Sequence, residues 1–162
     1  MIIILNIRMR GIDTSLRSLI RSHDEIYDEA RNGINHAAQH FLDKVVDKFG
    51  KYQSTGGDPN GYGSWKKLKY ETIKKKILKG YPKSPLIMTG NTKDSFSVKM
   101  GGKGTLAASV SSDSDVLIYH IYGAPGANVP MRDPVRITAK EEMQACHDII
   151  EKYVNDAIRR FE

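Results

Sequence analysis

Ser84-Pro85-Leu86-Ile87-Met88-Thr89-Gly90-Asn91-Thr92-Lys93-Asp94-Ser95-Phe96 divides the chain into two regimes. Pro85 blocks helix at its own position and biases Ser84 away from helical dihedrals. Leu86-Ile87-Met88 is a short apolar run between turn residues. Thr89-Gly90-Asn91 then supplies a hydroxyl, a residue free to take positive φ and an Asx side chain. Phe96-Ser97-Val98-Lys99-Met100 alternates apolar and polar, the period of a half-buried strand. The stretch reads as a turn or short helical loop feeding a meander. The chain before it is mainly helical, and the chain after it is mainly strand until a last helix.

Upstream, residues 2–8 read as a strand on the β-branched Ile2, Ile3 and Ile4, broken by Gly11. From about Asp13 to Phe49 the pattern is helical. Tyr27, Ala30, Ile34, Ala37, Phe41, Leu42, Val45 and Phe49 recur at three- and four-residue steps and form one apolar stripe. Asp13 or Thr14 would cap one long helix, whereas Ser22 and Glu25 would form a capping box for a restart or kink. Gly50 suits the C′ position. The longer form, about 55 Å at 1.5 Å per residue, would leave part of its stripe open to another subunit. Residues 51–64 hold four glycines and a proline with no apolar period, so this loop is expected to be mobile. Trp65 ends it. Tyr70 to Lys79 reads as a short helix with Ile73, Ile77 and Leu78 on one side, stopped by Gly80.

Downstream, 95–100, 105–111 and 116–122 are strand candidates separated by Gly101–Gly104 and Ser112–Asp115. Val116-Leu117-Ile118-Tyr119 is apolar on both faces, which suits a central strand. Gly123 to Pro134 is a Gly- and Pro-containing loop. Thr138 and Glu141 read as the capping box of a final helix striped by Met143, Cys146, Ile149, Ile150, Tyr153, Val154, Ala157, Ile158 and Phe161. The expected fold is therefore α+β in a single domain, 1–162. An antiparallel sheet of about four strands (2–8, 95–100, 105–111, 116–122) packs against the long N-terminal helix and the C-terminal helix.

Composition narrows the function. A chain of 162 residues, 40% hydrophobic and 27% charged, can bury an ordinary globular core. Cys146 is the single cysteine, so no intrachain disulfide forms. Met1–Leu5 is apolar but too short to span a bilayer and has no basic region before it, so no membrane association is expected. The net charge of +6 is local: Lys66–Lys83 holds eight lysines against Glu71, a net of +7, leaving −1 elsewhere. Such a patch faces nucleic acid, an acidic partner or solvent. Lys66, Lys67, Lys69, Lys74, Lys75, Lys76 and Lys79 are the candidate DNA-facing residues, flanked by Trp65, Tyr70 and Tyr81. No recognition helix accompanies them.

Catalytic chemistry has little to stand on. Gly101-Gly102-Lys103-Gly104 lacks the spacing and following helix of a phosphate-binding loop. Cys146 and His147 are adjacent on a helix and point about 100° apart, unlike zinc ligands. His120, between Tyr119 and Tyr122, reads as a satisfied sheet histidine rather than a base. Asp113 and Asp115 read as turn caps, and His23-Asp24-Glu25 as a solvated turn. No metal, cofactor or enzymatic activity is expected.

Several of these residues recur, in order, in a known pattern. Trp65, Leu68, Thr72 and Lys75 match a Trp-x-x-Leu…Thr…Lys element. Leu86, Thr89, Gly90 and Ser95 match a Thr-Gly-x-Leu-x-x-Ser region. Tyr119 and Gly123 match a Tyr…Gly motif, and Pro130 and Arg132 a Pro-x-Arg-Pro motif before a last helix. With its long N-terminal helix, the chain resembles the virion-morphogenesis family (tail-completion, minor tail and head–tail connector proteins) of tailed bacteriophages. It departs from the pattern in two places: Thr92 stands where leucine is usual, and Asp133 separates Arg132 from Pro134, with Val135 at the usual aromatic position. The resemblance implies a non-catalytic structural protein of the virion neck, tail terminator or tail-completion region, assembled in the host cytoplasm. It implies a homo-oligomeric ring, commonly sixfold, that contacts other neck or tail proteins and passes genome DNA through its lumen. The alternative reading is a sequence-independent nucleic-acid-binding protein driven by the same lysines.

Overall fold

The computed structural model describes residues 5–7, 24–52, 65–87 and 89–160. The expected helix start at Asp13 or Thr14, the Ser22 cap and the mobility of loop residues 53–64 lie outside the described residues. In chain order the elements are β1 (Leu5–Ile7), α1 (Asp24–Asp47), α2 (Tyr70–Leu78), α3 (Asn91–Asp94), β2 (Phe96–Met100), β3 (Ala108–Ser112), α4 (Asp115–Tyr122) and α5 (Pro134–Ile158). A single 3₁₀ turn, Pro125–Ala127, precedes α5. The class is α+β with long N- and C-terminal helices. Among the described residues the sheet has three strands, in the order β1-β3-β2, where about four were expected. β1 runs antiparallel to β3, with Leu5 opposite Val110 and Ile7 opposite Ala108.

The expected fourth strand, 116–122, is the helix α4. A short apolar run does not by itself distinguish strand from buried helix. Ser114 in extended conformation precedes the helix, Asp115 sits in its first turn, and Gly123 ends it at φ 72°. Its inward residues, Leu117, His120 and Ile121, follow three- and four-residue steps, while Val116, Tyr119 and Tyr122 are exposed. The start of α5 also differs from the expected capping box. The Asp133 carboxylate accepts the Val135 and Arg136 backbone N–H groups, both at 3.0 Å, and Pro134 occupies the first helical position. Thr138 lies one turn inside the helix and donates its hydroxyl back to the Pro134 carbonyl.

The chain forms two compact units, each drawn from separate segments. The first, within 3–43, 97–111 and 139–162, is built on α1 and α5. Ile26, Ala30, Ile34, Ala37, Ala38 and Phe41 from α1 are buried, as are Cys146, Ile150, Val154 and Ala157 from α5. Small residues let the helices touch: a Cβ on Gly33 would lie 2.9 Å from the Tyr153 Cβ and 3.2 Å from the Ile150 Cα. Cys146 donates its S–H to the Ala37 carbonyl. Arg31 donates to the carbonyls of Gly101 and Gly102, fixing α1 to the turn after β2. The described part of the α1 stripe is thus buried within the chain, so the expected excess open to another subunit is not found there.

The second unit, within 1–2, 44–96 and 112–138, holds the end of α1, α2, α3, α4 and the start of α5. Phe49 meets Phe96 edge-on at 5.9 Å. Gly50, at φ 84°, lies three residues past the end of α1 and donates its N–H to the Pro85 carbonyl instead of back into the helix, so it is not the C′ cap expected from sequence. The opening stretch 84–96 therefore closes onto the end of α1 before it turns into α3 and β2. Among the described residues, no helix is long and apolar enough to cross a membrane.

Candidate functional site

The second unit contains a cleft of about 850 Å³. It lies among α2, the 84–92 segment, α4 and the loop before α5. Its lining includes four lysines, Lys66, Lys67, Lys69 and Lys76, together with Arg132, and no acidic residue. The same walls carry Leu68, Leu86, Ile87, Val129 and Met131. Cations and apolar surface thus share one concavity, and nothing within the lining neutralises the charge.

Lys76 is 8% exposed. Its ammonium donates to the Ser84 and Ile87 carbonyls, each at 2.5 Å. These bonds clamp the chain on both sides of Leu86, whose φ of 59° is costly for a branched side chain. Burial, and then the charge of Arg132, push the Lys76 ammonium below its ordinary pKa. Arg132 is 4% exposed. Its Nη2 donates to the Lys66 carbonyl at 2.8 Å, its backbone N–H donates to the His120 carbonyl, and its Nε is buried without a partner. Burial lowers its pKa and the neighbouring Tyr52 opposes that shift. His120 has a buried Nδ1 with no hydrogen-bond partner. Burial first, then Arg132, lower its pKa, which favours the neutral ring. The satisfied sheet histidine expected from sequence is instead a helix histidine with an unpartnered nitrogen.

The seven candidate DNA-facing lysines divide. Lys66, Lys67 and Lys69 are exposed at the cleft, Lys74, Lys75 and Lys79 are exposed outside its lining, and Lys76 is buried. Helix α2 is turned differently from the expectation, with Ile77 and Leu78 at 50% and 77% exposure and Lys76 inward. The signal was available in the spacing: Lys69, Thr72, Ile73 and Lys76 follow the i, i+3, i+4, i+7 rule of one helix face.

The family-motif residues converge. Leu68, Thr72, Leu86, Thr89, Gly90, Gly123, Pro130 and Arg132 all line the cleft. Trp65 is buried beside it in sequence. Ser95 donates to the Thr92 carbonyl and shares a hydroxyl contact of 2.6 Å with Ser112. At Gly123, φ 72° disfavours any side chain, and a Cβ would sit tightly, 3.2 Å from the Met131 nitrogen and the Val129 oxygen. Tyr119 is exposed and outside the lining. Both departures from the pattern have local work: Thr92 accepts the Ser114 hydroxyl, and Asp133 caps α5.

Away from the cleft, His147, Asp148 and Glu151 on α5 bring ligand atoms within 4.8 Å of one another, all exposed. Among the described residues, nothing buried or unpartnered points into that group, and the contact of His147 Nδ1 with the Glu151 carboxylate at 3.7 Å is one i, i+4 helix neighbour pair. Compared with known proteins, the chain matches no family model, no curated protein and no solved structure.

Proposed function

We propose that this chain is a structural protein of a tailed-phage virion, a ring-forming component of the head–tail junction that joins neck and tail proteins around the genome. The observation that carries the reading is the convergence of the motif residues. Positions spread from Leu68 to Arg132 line one cleft in one unit. Residues distant in sequence are thereby gathered on one concave surface. Exposed Val116, Tyr119, Tyr122 and Met131 on the same unit favour protein contacts. A ring requires such heterologous surfaces, repeated about an axis.

Electron microscopy of the purified protein, alone and with tail tubes, tests this. Closed rings, or caps on tube ends, are expected. A protein that stays monomeric and never decorates tubes would contradict it. The nucleic-acid reading is served by Lys74, Lys75 and Lys79, which are exposed. Replacing all three with Gln should leave rings intact and lower the salt slope of DNA retention by about one unit for each phosphate no longer neutralised. Tight DNA binding by a monomer would favour the alternative, a sequence-independent nucleic-acid-binding protein.

A further inference from the structure

We propose that the cleft of the second unit is a receptor for a peptide segment of a neighbouring protein, apolar in its flanks and carrying one carboxylate for Arg132 and Lys76. That the ligand belongs to a protein rests on the virion-assembly reading. The need for an anion rests on the cleft itself.

Arg132 and Lys76 are more than nine-tenths buried, yet no carboxylate pairs with either among the described residues. Carbonyl dipoles satisfy some of their donors but cancel no charge. A buried cation without a counter-charge is costly, and two that repel each other are costlier. Burial first, and then the charge of Arg132, lower the proton affinity of both Lys76 and His120. Arg132 Nε and His120 Nδ1, on two residues of the same lining, are each buried without a hydrogen-bond partner. An oxyanion in the cleft would relieve the repulsion and take charge-assisted hydrogen bonds.

The walls select the carrier of that oxyanion. Duplex DNA presents phosphates on a convex cylinder, which does not reach a guanidinium that is 4% exposed. Inorganic phosphate would leave Leu68, Ile87 and Met131 and most of the 850 Å³ unfilled. A glutamate on an extended peptide reaches inward while its apolar neighbours cover those walls. Lys66, Lys67 and Lys69 at the rim attract the acidic segment from a distance.

Trp65 is the only tryptophan, is 6% exposed, and adjoins Lys66, whose carbonyl holds Arg132. Its fluorescence therefore reports on the site in the full chain. The titrants are a capped peptide with one glutamate between leucines and valines, its glutamine counterpart, inorganic phosphate and a short DNA duplex. Saturable change with the glutamate peptide is expected, with the glutamine peptide weaker by about tenfold or more. Arg132→Leu should lose the preference, and Arg132→Lys should keep part of it. If Arg132→Leu does not fold by circular dichroism, the comparison of the two peptides on the natural chain decides alone. Equal binding of the two peptides, no response to the glutamate peptide, or saturation by phosphate or duplex that Arg132→Leu abolishes would each overturn the proposal. Sedimentation of the same samples separates the two readings. Rings without carboxylate preference sink this inference only, and carboxylate binding by a protein that never assembles sinks the virion reading.

Discussion

The two units differ in the cations they bury: among the described residues, no lysine or arginine of the first is buried, whereas two of the second are. In the first unit, Arg160 pairs with Glu25 and Glu29 at 3.2 and 3.0 Å, His40 meets Glu142 at 2.8 Å, and the buried side chains are apolar except Ser111. In the second, Lys76 and Arg132 are buried with carbonyls only, Leu86 holds a left-handed backbone, and His120 keeps an unpartnered nitrogen. One unit is arranged for stability, and the other carries unrelieved charge and strain of the sort that clusters at functional sites. The contrast is open to attack by substitution.

The largest effect is expected from Phe41→Ala in the first unit. Phe41 is 1% exposed in the α1 stripe, and truncation should cost about 3–5 kcal/mol in urea unfolding. A loss under about 1 kcal/mol would mean that the stripe is not the core. Gly33→Ala comes next. Its methyl would sit 2.9 Å from the Tyr153 Cβ, so overpacking at the helix contact should cost about 1–3 kcal/mol despite alanine's helix preference. A stabilised Gly33→Ala protein would mean that α1 and α5 are further apart.

A smaller effect is expected from pH. His120 has a folded pKa below 6.5, through burial and then Arg132. Between that folded value and 6.5 the unfolded chain binds more protons, so stability rises with pH across this window and is lost as pH falls below 6.5. Unfolding followed from pH 7.5 downward should show that loss, and His120→Gln should flatten it. An unchanged slope in His120→Gln would assign the pH response to another group.

The first unit was largely legible in sequence. Ala30, Ile34, Ala37 and Phe41 announce their face by period alone, although Ile26 and not the expected Tyr27 is the buried residue of its first turn; the stripe of α5 does likewise except for the exposed Met143. Turn chemistry located β2 and β3 closely. The second unit resisted because its elements are short. Eight residues of α4 offer too little period to separate helix from strand, and Ser114-Asp115 served equally well as turn or cap. Asp133 hid the start of α5 because Thr138 and Glu141 offered a rival cap. Lys76 and Arg132 lie 56 positions apart, and His120 far from Lys76, so only folding reveals that they share a cleft. Most of the motif residues line the cleft, whereas the lysine run, read as one outward patch, concealed the lysine that points inward.

The most direct test is urea unfolding of Arg132→Met against the natural chain. If the buried guanidinium is kept for a ligand and not for the fold, a similar-sized apolar side chain should leave stability unchanged or raise it, with any loss below about 1 kcal/mol and no change in the denaturant slope. A loss approaching that of Phe41→Ala would make Arg132 a structural residue and would contradict the division between the two units.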